Sequence, residues 1–142
     1  MKVQMERVLV VAPHTDDAEF GMGATLYNLA SSKNVDIRIL TLSDCVESIP
    51  RGLPSSTLRD EAVAACMELG IPTNCLTIKG YPVRNFGDYR QDILELLISL
   101  KSSYNPDVVF APARPDVHQD HQVVRQEVDR AFKDCTVLGY EL

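Results

Sequence analysis

What the chain lacks narrows its function first. It has no excess of basic residues: 14 Lys and Arg stand against 20 Asp and Glu, a formal net charge of -6. That is the wrong sign for tracking a phosphate backbone, so no nucleic-acid partner is expected. No apolar run approaches the ~18 residues of a membrane span, the densest being Ile93 to Leu100. The start, Met1 to Arg7, is of mixed charge, and the apolar stretch Val8 to Ala12 is shorter than a signal-peptide core, so no export signal is read. Cysteines 45, 66, 75 and 135 form no CxxC pair, which argues against a zinc–thiolate site or a disulfide framework. They fit small core residues in a reducing cytoplasm, the expected location. There is no internal repeat and no low-complexity tract.

What remains is an ordinary globular composition. With 142 residues, 45% hydrophobic and 24% charged, the chain fits one domain, residues 1–142, able to bury enough apolar surface to offset chain entropy. Arg7 to Ala12 reads as a central strand buried on both faces, ended by Pro13. Gly21 to Ser32 reads as a helix, Val35 to Leu42 as a strand and Thr57 to Leu69 as a helix stopped by Gly70, the best capped of the four. Cys75 to Ile78, Val108 to Ala111 and Thr136 to Leu142 complete the strands, with helices at Tyr89 to Ser103 and His121 to Lys133 between them. Strict alternation of five short apolar strands with four helices predicts an α/β, Rossmann-like three-layer sandwich: a mainly parallel sheet with helices on both faces. Such sheets bind ligands at the carboxyl ends of their strands, where strand order reverses.

The loops after the first and fourth strands hold all three histidines. One reads Pro13-His14-Thr15-Asp16-Asp17-Ala18-Glu19, the other Arg114-Pro115-Asp116-Val117-His118-Gln119-Asp120-His121. A first-row divalent metal takes neutral imidazole and carboxylate, and His14, Asp17 and His121 supply two histidines and one carboxylate with a position left open. Zinc is the expected cofactor, and iron(II) suits the same ligands. Asp16, beside a ligand but pointing elsewhere, is placed to take a proton from a water whose pKa the metal lowers to about 7. His118, as imidazolium, is placed to donate to a developing oxyanion, with Asp120 holding its tautomer and raising its pKa.

Blander readings attach to the same residues. An Asp-Asp pair after a strand is commonly a helix cap with a first-turn carboxylate, and a histidine at a helix start is commonly a capping residue. The joint occurrence of both motifs at neighbouring strand ends favours metal. Gly21-Met22-Gly23 resembles half of a dinucleotide fingerprint, but Leu26 occupies the third glycine position and three carboxylates precede the helix, where a pyrophosphate would bind. The two glycines are read instead as allowing close packing of the helix on the sheet. Arg59 either reaches a substrate or pairs with a surface carboxylate. Tyr81, Arg84, Asn85 and Phe86 lie in a loop at the same edge and can line a pocket.

The two histidine motifs resemble those of the PIG-L/LmbE-like deacetylases, zinc enzymes acting on N-acetylglucosamine-type sugars. The first motif carries Thr15 where the family usually has proline, and Cys45 stands where relatives commonly carry glycine. The second is complete as Asp116, His118, Asp120 and His121. The resemblance implies zinc ligation by His14, Asp17 and His121, a general base in Asp16, and stabilisation of the tetrahedral intermediate by His118 with Asp120. It keeps Arg59 as a substrate-binding candidate. It also implies that the family's C-terminal segment is missing, which leaves an apolar patch open to homo-oligomer formation. The expected activity is zinc-dependent removal of acetate from an acetamido sugar or conjugate. The alternatives are a non-catalytic relative that keeps the metal pocket and, from another class, a nucleotide-binding Rossmann-like domain.

Overall fold

The computed structural model describes residues 5–142; Met1 to Gln4, on which the export-signal reading partly rests, lie outside the described residues. Five strands, β1 (Arg7–Ala12), β2 (Asp36–Thr41), β3 (Leu76–Ile78), β4 (Val108–Pro112) and β5 (Thr136–Tyr140), alternate with α1 (Asp17–Ala30), α2 (Thr57–Glu68), α3 (Arg90–Tyr104) and α4 (Gln119–Ala131). The sheet order is β3-β2-β1-β4-β5 and every neighbouring pair is parallel. The architecture is therefore the expected α/β sandwich.

Burial on both faces explains the uninterrupted apolar sequence of β1, whose residues Val8 to Ala12 are all fully buried. Strand pleating sends Leu9 and Val11 to one side and Val8, Val10 and Ala12 to the other. Leu9 and Val11 pack with Ile93, Leu94 and Leu97 of α3 and with Val124 and Val128 of α4. Val8, Val10 and Ala12 pack with Ala18, Met22 and Leu26 of α1 and with Cys66 of α2. Burying each such Val or Leu contributes roughly 1.5–3 kcal/mol relative to exposure. The chain crosses from one face to the other between β1 and β4, so the strand order reverses at their carboxyl ends.

The structure differs from the sequence reading in several places, α4 among them, which spans Gln119–Ala131 rather than His121 to Lys133. α1 starts at Asp17, four residues before Gly21, with a break at Met22 (φ -149°, ψ 25°). Its first turn carries Asp17 and Glu19 beside the core residue Ala18, which hides it from a search for apolar periodicity. β5 ends at Tyr140, short of Leu142. α2 is stopped by Gly70 in the left-handed region (φ 75°), as expected, but Ser56 makes no side-chain cap, and among the described helices only α4 has one. The glycines of α1 also divide: a Cβ on Gly21 would run into the Tyr140 ring, whereas one on Gly23 would meet nothing within 4 Å. Close packing is the role of Gly21 alone. All four cysteines are free, with Cys45 and Cys66 buried and Cys75 and Cys135 partly so.

Candidate metal centre

The chain leaves β1 through Pro13 and turns directly into α1, which places His14 and Asp17 three residues apart across one turn. The Asp17 carboxylate accepts the His14 backbone N–H at 2.9 Å, closing that turn. From the adjacent β4, the Ala113–Gln119 loop delivers His121 into the first turns of α4. Three atoms then converge: Nδ1 of His14 lies 3.3 Å from Oδ2 of Asp17, Nε2 of His121 lies 3.2 Å from the same oxygen, and the two nitrogens are 3.3 Å apart. A tetrahedral ion with bonds of ~2.0 Å needs ligand atoms roughly 3.3 Å apart, so this nearly equilateral triangle fits one.

The outer nitrogens are occupied in the way metal-ligating imidazoles require. Nε2–H of His14 donates to Oδ2 of Asp120 at 2.9 Å, and Nδ1–H of His121 donates to Oδ2 of Asp116 at 2.7 Å. Each bond fixes the tautomer that turns a lone pair toward the common point. In the sequence Asp116 is only one member of a motif. Its role comes from the tight turn before α4, which brings it back over a residue five positions later.

His118 corrects the expected geometry. Its Nδ1 accepts the backbone N–H of Asp120 at 3.1 Å and so caps α4, while the Asp120 carboxylate turns away to His14 and to the backbone N–H groups of Arg84 (2.6 Å) and Phe86 (3.4 Å). Asp120 does set the His118 tautomer, but through its backbone. An accepting Nδ1 places the proton on Nε2 of a neutral ring. Burial, with the charges of His121 and His14, lowers the His118 pKa, so the imidazolium expectation does not hold. All three imidazoles still offer one nitrogen within 4.8 Å of one another, a group able to bind a metal.

Without an ion the cluster is a network of charged hydrogen bonds. Burial alone would raise the Asp17 carboxyl, but hydrogen bonds from His121 and His14 and their charge hold it well below the usual carboxylate range. Burial would lower both imidazoles, yet bonds to Asp17 and Asp120 raise His14, and bonds to Asp17 and Asp116 raise His121 to about 8.

A cavity of about 470 Å³ opens beside this triangle. Its lining includes His14 and His118, Asp16 just before α1, Glu19 and Phe20 of α1, Glu61 of α2, and Cys45, Val83 and Arg84 from the loops. Asp16 is exposed, lines the cavity and makes no side-chain cap, so its carboxylate is available as an acceptor. Arg59 is not among the lining residues: its guanidinium sits 3.8 Å from Asp44, the surface-pairing alternative. Of the loop named from sequence, Arg84 reaches the cavity and Phe86 is buried beneath the His14 ring at 5.8 Å between centroids. Tyr81 packs on the core and Asn85 is exposed. Cys45 adopts φ 56° and Arg84 φ 69°, two left-handed non-glycine residues on one cavity. Each such position costs roughly 1–2 kcal/mol, and at Cys45 it is the conformation for which glycine is the natural occupant.

Fold and site together define a doubly wound α/β domain with a histidine–aspartate cluster able to hold a metal at its topological switch point. The chain belongs to the PIG-L family, described as GlcNAc-PI de-N-acetylase, which it matches over residues 9–132. Among solved structures it is similar to N,N'-diacetylchitobiose deacetylase from Pyrococcus horikoshii, at 22% identity and a TM-score of 0.76 over 92% of this chain and 52% of that one. It is similar to the conserved protein TT1542 from Thermus thermophilus, at 28% identity and a TM-score of 0.74 over 98% of this chain and 67% of that one. The A40926 pseudoaglycone deacetylase Dbv21 gives a TM-score of 0.81 at 19% identity over 97% of this chain and 64% of that one. The chain thus spans between about half and two thirds of these proteins' length. No helix among the described residues is long and apolar enough to cross a membrane.

Proposed function

We propose that the chain is a metal-dependent N-deacetylase that releases acetate from an acetamido sugar or its conjugate. The observation that carries the reading is the triangle of His14 Nδ1, Asp17 Oδ2 and His121 Nε2, with edges of 3.2–3.3 Å, one corner of which, His14, also lines a cavity of about 470 Å³. Family membership and the deacetylases among the similar structures support it. His14, Asp17 and His121 hold the ion, with zinc and iron(II) both suited to the donor set. A divalent ion there supplies Lewis acidity toward water and toward an amide carbonyl.

The protein's own groups do the rest. Asp16 accepts the proton of the attacking water at its exposed carboxylate and returns it to the departing amine. His118, neutral with its proton on Nε2, donates a hydrogen bond to the oxygen that becomes negative at the tetrahedral stage. Asp120 and Asp116 orient His14 and His121, and the apolar Val83 and Phe20 limit water around the sugar. Acetate and a free amine result.

The test is acetate release from a panel of acetamido sugars by protein carrying one metal per chain, for wild type and Asp16→Asn. Turnover by wild type and a loss of about 10²–10⁴-fold in the variant, at unchanged metal content, is expected. A fully metallated wild type that releases no acetate from any member leaves the binding-module alternative in its place. A purified chain that takes up no stoichiometric metal removes both.

A further inference from the structure

Arg84 is held in place at some cost, and by the same turn that builds the metal cluster. Its backbone sits at φ 69°, where glycine would be unstrained. Its N–H donates to Asp120 Oδ2 at 2.6 Å and its carbonyl accepts from Gln119 Nε2 at 2.5 Å, so both backbone groups are pinned to the start of α4. The side chain lines the cavity. Among the described residues its guanidinium makes no ion pair, whereas Arg59 is paired with Asp44, and Arg90 and Arg130 are paired with Glu127.

The lining of the cavity is charged, with one cation among its acidic groups. The lining carries the carboxylates of Asp16, Glu19 and Glu61 and a single cationic side chain, that of Arg84. An anionic substituent is repelled by the carboxylates and attracted by the planar, forked donor of Arg84. A ligand held in this way has one orientation in the cavity.

We infer that Arg84 is a specificity-determining residue that receives an anionic group, a carboxylate or a phosphate ester, carried by the sugar substrate beside its acetamido group. The inference rests on the deacetylase reading for the word substrate, but the anion site is testable by binding alone.

Calorimetric titration with the deacetylated sugars, which cannot turn over, gives the test: glucosamine as the neutral frame, muramic acid as the carboxylate and glucosamine 1-phosphate as the phosphate. Wild type is expected to bind at least one anionic form about tenfold or more tightly than glucosamine, and the stronger arm names the anion. In Arg84→Gln and in Arg84→Gly that ratio should fall close to one. The glycine variant relieves the left-handed backbone, so misfolding does not explain a loss there. Equal binding of all three sugars by wild type, or a preference that survives in both variants, overturns the inference. Acetate release measured on the same preparations judges the deacetylase reading separately, since a preference without turnover keeps the anion site and removes only the activity.

Discussion

Asp120, fully buried, accepts a 2.9 Å hydrogen bond from Nε2 of His14, a residue on the neighbouring strand's loop. The same carboxylate gathers the Arg84 and Phe86 N–H groups, and the same residue's backbone N–H is capped by His118. One residue thus joins the metal cluster, the pocket loop and the start of α4.

Asp120→Asn keeps the shape and the backbone contact with His118 but withdraws the charged acceptor from His14. Metal affinity should fall about 10–100-fold, the usual effect of removing such a buttress. Competition with a chromophoric chelator checks it, and an unchanged affinity would remove Asp120 from the positioning role.

His118 carries two separable functions. His118→Ala loses the α4 cap and should cost about 1 kcal/mol, whereas His118→Ser keeps an accepting oxygen and most of that stability. Both should lose about 10²–10³-fold in turnover if the Nε2–H stabilises the oxyanion. Thermal melts and acetate release on the pair separate the effects; a serine variant at the wild-type rate refutes the oxyanion role.

Protons would compete with a bound metal for the lone pairs of His14 and His121. In the metal-free chain His121 is raised to about 8 from an ordinary 6.5, and His14 is raised too. A raised folded-state pKa contributes stability that is complete below about pH 6.5 and lost as pH climbs through 8. For His121 this is on the order of 2 kcal/mol. Asp17, depressed instead, contributes above its ordinary pKa and loses that only in strong acid, so it does not alter this interval, whereas His118, whose pKa is lowered, works the other way and offsets part of the loss. The chelated protein should therefore melt several degrees lower at about pH 8.5 than at about pH 6. Stabilisation by added zinc should grow over the same range, because ligation needs neutral imidazoles. Calorimetry with and without chelator checks both signs, and an apo protein that gains stability with rising pH contradicts the network.

The two glycines of α1 should respond oppositely. Gly21→Ala forces a methyl into the Tyr140 ring and should cost about 1–3 kcal/mol. Gly23→Ala meets open space in a helix and should stabilise by up to about 1 kcal/mol. Denaturant unfolding of both decides; equal losses would mean that Gly21 has no special contact.

The amino-acid sequence alone determined the alternation of strands and helices, because buried parallel strands and one-sided helices leave distinct apolar periods, as in Arg7 to Ala12 and Arg90 to Tyr104. It also marked His14, Asp17, Asp16, His118, Asp120 and His121, since two such motifs occur together at neighbouring strand ends, although each motif alone has a capping use. Only the tertiary structure decided which group serves which. The Asp120 carboxylate turns to His14 rather than to His118, two residues away, because a helix start sends successive side chains in different directions. Asp116 reaches His121, and Arg84 enters the cavity, through a tight turn and a left-handed backbone that no spacing reveals. Arg59 is drawn away by Asp44 from another strand end. Local pattern is written along one chain segment, whereas partner choice depends on segments about a hundred positions apart meeting at the switch point of the sheet.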